Sequence, residues 1–290
     1  MRKYQSFSLF MVSFLISAVV LLIPTVVAVF VLNAPGITVS EQDYNVSYYP
    51  TKTEDINLLL GCQNSSKAVS TTMLVKFSPL DKRITLAVIP AETMVEYGGR
   101  FDSLSGLWKK QGGEKTAFAL SAALGVPVDR YALVDTTGFI TIADTVGRIE
   151  YDVKEPVELE GGGIAVNQGV QPLDGRKIAA MLSYRSYPLG ELQRLKLVEE
   201  LSLAAIGQRL PSMTMPSVET LFNTAINLCD TNITYSDYHF RKGGIYYLTN
   251  QSDVAQAVLV EGSYNQAGNT FLPSPQTMER MKAAFGSVEK

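Results

Sequence analysis

The chain has 290 residues, with 25 basic side chains against 28 acidic ones and a formal net charge of −3. That balance, with no polybasic block, gives no electrostatic footing for nucleic acid as a partner. A single histidine and two cysteines without CxxC spacing argue against a zinc cluster, and no G-x-S-x-G elbow or Walker loop is present to support those routes to acyl or phosphoryl chemistry.

Residues 7–32 carry no charged side chain. A hydrocarbon core of about 30 Å takes about 20 apolar residues, so these 26 span it with room for tilt, and Pro24 reads as a kink. Arg2 and Lys3 precede the run, whereas 33–40 holds neither Lys nor Arg, which places the N-terminus in the cytoplasm and the rest of the chain outside the membrane. The run exceeds the roughly 7–15 residues of a signal-peptide core, and Ala34 before Pro35 makes a poor cleavage site. The expected organisation is a cytoplasmic start and transmembrane helix over 1–33, an extracytoplasmic linker over 34–54 with room for one short strand, and one folded domain over 55–290.

Within that domain the apolar run 55–61 (DINLLLG) predicts a buried central strand. The runs 72–79 and 83–90, joined through Pro79 and Asp81, predict a hairpin. Over 113–125, Ala117, Leu120, Ala123 and Leu124 share a helical face and Gly125 supplies the C-cap. A strand follows at 130–135, then a helix capped by Thr136 or Thr137 and a strand at 148–153. The glycine-rich stretch 160–169 reads as a flexible connection rather than a phosphate loop, because no strand runs directly into it and no helix carrying a Lys opens within it. Asp174 is the expected N-cap of a helix over 173–184. The strongest amphipathic pattern runs over 190–210, with Leu192, Leu195, Val198 and Leu201 on its apolar face. Helix at 218–229, strand at 244–250 (GIYYLTN) and helix at 274–286 complete the chain, the last with Pro275 and Gly286 at its ends. The order predicts an α/β fold whose mixed central β-sheet is sandwiched by helices.

Cys62 and Cys229 either pair in an oxidising compartment or sit as two small buried thiols, and both readings stand. Sequons at Asn45, Asn64, Asn232 and Asn250 matter only where the source glycosylates. His239, between Tyr238 and Phe240, and Trp108 read as packing residues. What remains is arginine chemistry. Arg185 and Arg194 bracket a turn with Pro188 and Gly190, and Glu191 lies three residues before Arg194. A planar guanidinium suits pyrophosphate oxygens and a helix N-terminus favours anions, although an Arg and Glu at this spacing are more often a solvated pair worth about 0.2–0.5 kcal/mol.

Several ordered segments carry a resemblance: INLLLG followed by STTMLVKFSPLDKRITLAVIPAET, then LSAALGVPVDRYALVDTTGFITIADTVGRIEYDV, then GVQPLDGRKIAAMLSYRS. Together, over roughly residues 55–210, they resemble the LytR-CpsA-Psr family of cell-envelope proteins. The resemblance implies a membrane-anchored, extracytoplasmic phosphotransferase. Such a protein takes an anionic glycopolymer from a polyprenyl-pyrophosphate carrier and joins it to peptidoglycan, with Mg²⁺ and arginines on the pyrophosphate and the lipid tail in an apolar tunnel. It assigns Arg185 and Arg194 to catalysis and ligand binding, with Glu191 and Glu92 as longer carboxylates in place of aspartates and Glu92 as the metal ligand. Val69, Ala91 and Ser183 stand where the family pattern has arginines, Thr71 where it has a metal-binding aspartate, and Val198 where it has a glutamine. Two expectations follow from this substitution pattern. One is a divergent transferase working through the surviving charges. The other is a non-catalytic member that binds a polyprenyl lipid or an envelope protein as carrier, regulator or scaffold.

Overall fold

A computed structural model describes residues 48–158, 163–265 and 270–288. Residues Tyr49–Lys290 form one compact unit. The expected membrane span at 7–32 and most of the linker lie outside the described residues; among those described, no helix is long and apolar enough to cross a membrane.

The first three strands are β1 (Ile56–Gln63), β2 (Val69–Ser78) and β3 (Arg83–Ile89), an antiparallel meander. The expected hairpin is thus present, turning through Lys82 at φ 54°. A small ribbon of β4 (Met94–Tyr97) and β5 (Arg100–Ser103) leads into helices α1 (Leu104–Gln111) and α2 (Gly113–Leu124), the latter ended by Gly125 in the left-handed region. Strand β6 (Arg130–Asp135) runs parallel to β1 and feeds α3 (Thr136–Val146). The cap of α3 is Asp135 rather than either threonine: its Oδ1 accepts from Gly138 N at 2.7 Å. A carboxylate at the strand end is already in the extended conformation an N-cap requires.

A small lobe follows. β7 (Ile149–Val153) pairs with β10 (Gly169–Leu173), and between them β8 (Val157–Glu158) pairs with β9 (Ile164–Val166). The stretch expected to be a plain connection therefore holds β9 and ends at β10, although 159–162 are outside the described residues. Asp174 caps α4 (Gly175–Ser183), its Oδ1 accepting from Lys177 N at 2.9 Å. Gly175 lets α4 approach α3, since a Cβ there would stand 2.4 Å from Ile140 O.

Helix α5 (Glu191–Arg209) is followed by α6 (Met215–Leu228), β11 (Cys229–Thr231) and α7 (Tyr235–Thr249). The run 244–250, expected as a strand, instead forms the end of α7 with Asn250 as its C-cap. A capping box ten residues upstream, Thr234 with Asp237, starts the helix, and Tyr238 and Leu248 bury on its inward side. Strands β12 (Ala255–Ala257), β13 (Gly262–Tyr264) and β14 (Phe271–Pro273) precede α8 (Pro275–Phe285), which Ser274 caps.

The central sheet has the order β11-β6-β1-β2-β3-β12, with β1–β6 and β3–β12 parallel and the other pairs antiparallel. It is the mixed sheet the sequence predicts, and its two faces follow from strand alternation. Leu59, Leu74 and Ala87, in register across β1 to β3, bury against Leu107, Trp108, Leu120 and Phe285 of α1, α2 and α8. On the opposite face Leu86 and Val88 meet Val198 of α5, and Phe77 and Ile84 meet Leu248 of α7. Each fully buried leucine contributes about 2 kcal/mol relative to exposure.

Candidate functional site

The inward face of α5 holds Leu195, Val198 and Leu201 as expected, but not Leu192. Leu192 is 66% exposed, whereas Arg194 is 1% exposed and shares the buried stripe with Leu197, Val198 and Leu201. A guanidinium in that position must have its donors satisfied. Five hydrogen bonds account for its five N–H groups: Nε to Glu191 Oε2 at 2.8 Å, Nη2 to Glu191 Oε1 and to Ser70 O at 2.7 Å, and Nη1 to Thr71 Oγ1 at 2.9 Å and Leu182 O at 3.5 Å. Arg194 thereby joins α5 to the start of β2 and to the end of α4.

Arg185 is different. It sits in the connection between α4 and α5 with its side chain 60% exposed, and it meets Glu191 Oε2 through Nη1 at 3.4 Å. The connection is held from beneath by two tyrosines. Tyr187 is buried, donates from its hydroxyl to Met181 O at 3.0 Å, and packs edge-on against Tyr184 with ring centroids 4.9 Å apart. Burial, with Tyr184 and Glu155 beside it, pushes the Tyr187 phenol up to about 12. Gly190, at φ 58°, ends the turn and lets α5 begin at Glu191. Glu191 is therefore shared, facing the buried Arg194 and the exposed Arg185 at once.

Arg185 overhangs a cavity of about 280 Å³. Its walls come from the β1–β2 turn (Asn64, Ala68), the first residues of β2 (Val69, Ser70), the segment after β3 (Ala91, Glu92) and the start of α1 (Ser103, Ser105). Asn64 shapes the turn by accepting at Oδ1 from Ser66 N and Ala68 N, both at 3.0 Å. Backbone bonds from Ser105 N to Ala91 O at 2.9 Å and from Leu104 N to Thr93 O at 2.8 Å fix the 91–93 segment onto α1. Val69, Ala91, Glu92 and Arg185, marked in the sequence by the family pattern, thus meet around one cavity. Thr71 and Glu191 lie behind it on Arg194, and Ser183 turns its hydroxyl back to Ala179 O at 2.8 Å within α4.

Glu92 Oε2 is buried without a hydrogen-bond partner, as is Tyr264 Oη. Sequence reasoning missed Tyr264, because only the pairing of β13 with β14 brings it here. Burial, then the Glu92 and Glu191 charges, push its phenol up to about 12 against the opposing pull of Arg194. Among the described residues no group of three or more His, Cys, Asp or Glu is placed to hold a metal ion. Mg²⁺ commonly takes one or two carboxylates and draws its other ligands from water and substrate phosphates. The donor set here, the single carboxylate of Glu92 in the cavity wall, fits an ion brought in with phosphate and does not fit one caged by protein alone.

Cys62 and Cys229 lie on the strands either side of β6. Both are register partners of Val134, one from each side, so β6 lies between them and both thiols are free. Two inter-strand spacings, about 9–10 Å, exceed the Cα separation a disulfide spans. Burial and Asp135 raise the Cys62 thiol to about 11 although Arg194 opposes them. His239 is exposed, with its ring 6.0 Å from Tyr235, and Trp108 is core.

The model of the LytR_cpsA_psr family matches residues 39–285. The chain is 23% identical over 176 residues to the polyisoprenyl-teichoic acid–peptidoglycan teichoic acid transferase TagV of Bacillus subtilis, covering 57% of this chain and 45% of TagV. It is 26% identical over 125 residues to the Corynebacterium glutamicum protein named "Probable cell wall biosynthesis protein LcpB", covering 43% of this chain and 30% of that one. The matches thus span less than half the length of either curated relative. The crystal structure of B. subtilis TagV superposes with a TM-score of 0.66 at 20% identity, over 81% of this chain and 97% of that one. TagT bound to LIIa-WTA superposes with a TM-score of 0.67 at 18% identity, over 83% and 92%.

Proposed function

Because this chain belongs to the LytR-CpsA-Psr family, we propose that it works in cell-envelope assembly, receiving a glycopolymer on a polyprenyl pyrophosphate beneath Arg185 and transferring it to peptidoglycan. The proposal includes the expected anchor at 7–32, which would hold the domain on the outer face of the membrane beside its lipid-linked substrate. The observation that carries it is the convergence of Val69, Ser70, Ala91, Glu92 and Arg185 on one cavity. Phosphoryl transfer asks a protein mostly for positioning and charge neutralisation. Arg185 supplies an exposed guanidinium that can grip pyrophosphate oxygens. Arg194, with its donors occupied inside the chain, holds Glu191 and the start of β2 in place rather than reaching for the ligand. Mg²⁺, when bound, would neutralise phosphate charge, and Glu92 is the residue that would hold it. In the reaction a peptidoglycan hydroxyl forms a new P–O bond to the glycopolymer's phosphorus. The P–O bond to the polyprenyl phosphate breaks, and the hydroxyl proton passes to solvent.

A second reading, a holder of the lipid-linked glycopolymer that does not transfer it, has a specific observation behind it. The cavity has Val69 and Ala91 in its wall, and the five N–H groups of Arg194 are engaged within the chain. Each missing charge-stabilising donor costs about 3–4 kcal/mol of transition-state stabilisation, ~10²–10³ in rate. The two readings separate in an assay of the purified full chain with a disaccharide-bearing short polyprenyl pyrophosphate, peptidoglycan and Mg²⁺. Transfer that disappears in Arg185→Ala supports the transferase, and binding without transfer supports the holder. No binding of the lipid would rule out both.

A further inference from the structure

Two side-chain oxygens near the cavity have no hydrogen-bond partner, Glu92 Oε2 and Tyr264 Oη, and both are shielded from solvent. Buried polar atoms normally find partners, and an orphan carboxylate oxygen is among the costliest to leave unpaired. These two are complementary, since a phenol donates and a carboxylate accepts. The backbone brings them together. Tyr264 is the cross-strand partner of Phe271, with rings 5.1 Å apart, and Phe271 N donates to Glu92 O at 2.9 Å while Phe271 also bridges to Thr93. Strand β14 therefore lies between the two residues and fixes both. Glu92 belongs to the cavity wall, and its charge acts on the buried Tyr264 phenol.

We propose that Tyr264 is a positioning residue for Glu92, its phenol donating to Oε2 so that the other carboxylate oxygen is held toward the cavity. Neither atom has another hydrogen-bond partner among the described residues, so a bond between them satisfies a buried donor and a buried acceptor together, with or without a ligand. A free carboxylate would swing among rotamers, whereas one tethered at Oε2 presents Oε1 in a fixed place to whatever enters beneath Arg185. The inference rests on the proposed function only in assuming that a phosphate ligand with Mg²⁺ enters there. The pairing itself does not depend on that assumption.

The test is a double-mutant cycle on the full chain with Tyr264→Phe, Glu92→Gln and both together. Phenylalanine keeps the ring that packs on Phe271, so the fold survives. The first readout is calorimetric binding of inorganic pyrophosphate with Mg²⁺. Tyr264→Phe is expected to weaken it about tenfold in the wild-type background and to change it less than twofold once Glu92 is glutamine. The second readout is urea unfolding without ligand, where the two substitutions are expected to be non-additive. Equal effects of Tyr264→Phe in both backgrounds, on binding and on unfolding, would overturn the inference. Pyrophosphate failing to bind while the unfolding cycle remains non-additive would overturn the proposed function and leave the Tyr264–Glu92 pairing supported.

Discussion

Arg194 Nη1 stands 2.9 Å from Thr71 Oγ1, and this bond ties helix α5 to strand β2 at the position where the family pattern has a metal-binding aspartate. A threonine there gives the guanidinium a neutral acceptor and leaves its charge to Glu191 alone. The consequence is a buried cation in a structural role. Thr71→Val removes an acceptor from a charged donor and should cost about 1.5–3 kcal/mol, read from urea unfolding. Arg194→Ala should cost about 2–4 kcal/mol, because it removes a buried side chain with its hydrogen bonds to Ser70, Thr71 and Leu182 and takes from Glu191 its closest partner. Unchanged unfolding in both variants would contradict the structural role.

Arg185→Ala should behave in the opposite way. Its 3.4 Å pairing with Glu191 is exposed, so the variant should keep wild-type stability within about 0.5 kcal/mol. A loss of stability matching that of Arg194→Ala would mean that Arg185 belongs to the same structural network.

Asp237 gives a pH-dependent prediction away from the cavity. Burial pushes its carboxyl up, but hydrogen bonds from Arg130 and from Thr234 outweigh burial and hold it at about 2. Arg130 donates from Nε at 2.9 Å and from Nη2 at 3.0 Å, fastening α7 to β6. A carboxyl with a depressed folded-state value stabilises fully above its unfolded value of about 4, and that stabilisation is lost as pH falls toward 2. Allowing for solvent screening, the amount is about 1–2 kcal/mol. The stability difference between wild type and Asp237→Asn should therefore be largest near pH 6 and shrink toward pH 2. A difference that stays constant with pH would show that the ion pair is not its source.

Cys62 and Cys229 should remain two titratable thiols after purification without reductant and denaturation, because β6 separates them. Ellman titration giving two thiols per chain fits this arrangement. None, with the mass lower by the two hydrogens that an intrachain disulfide loses, would mean the strands pair differently.

The parts of the fold legible in sequence were those written in local pattern. The apolar run of β1, the β2–β3 hairpin, the Gly125 cap and the Asp174 cap each depend on a few adjacent residues. The run 244–250 misleads because its aromatic and β-branched residues favour a strand taken alone, while the helix is decided by the Thr234–Asp237 box upstream. Arg194 misleads for a related reason. On a helical wheel it is a polar residue beside Leu197 and Val198, and only the carbonyl of Ser70 and the hydroxyl of Thr71, more than 120 residues away, make its burial tolerable. Arg185 and Glu92 were visible as charges at family positions. Tyr264 had no such signal, since its place depends on β13 and β14 docking beside the 91–93 segment.

The proposed function requires the cavity beneath Arg185 to receive a pyrophosphate. Equilibrium binding of a short polyprenyl pyrophosphate to the full chain, measured beside Arg185→Ala at matched ionic strength, tests it most directly. Binding in wild type that weakens at least tenfold in a variant of unchanged stability is the predicted result. Equal affinity in the two proteins would contradict the claim and place the ligand elsewhere.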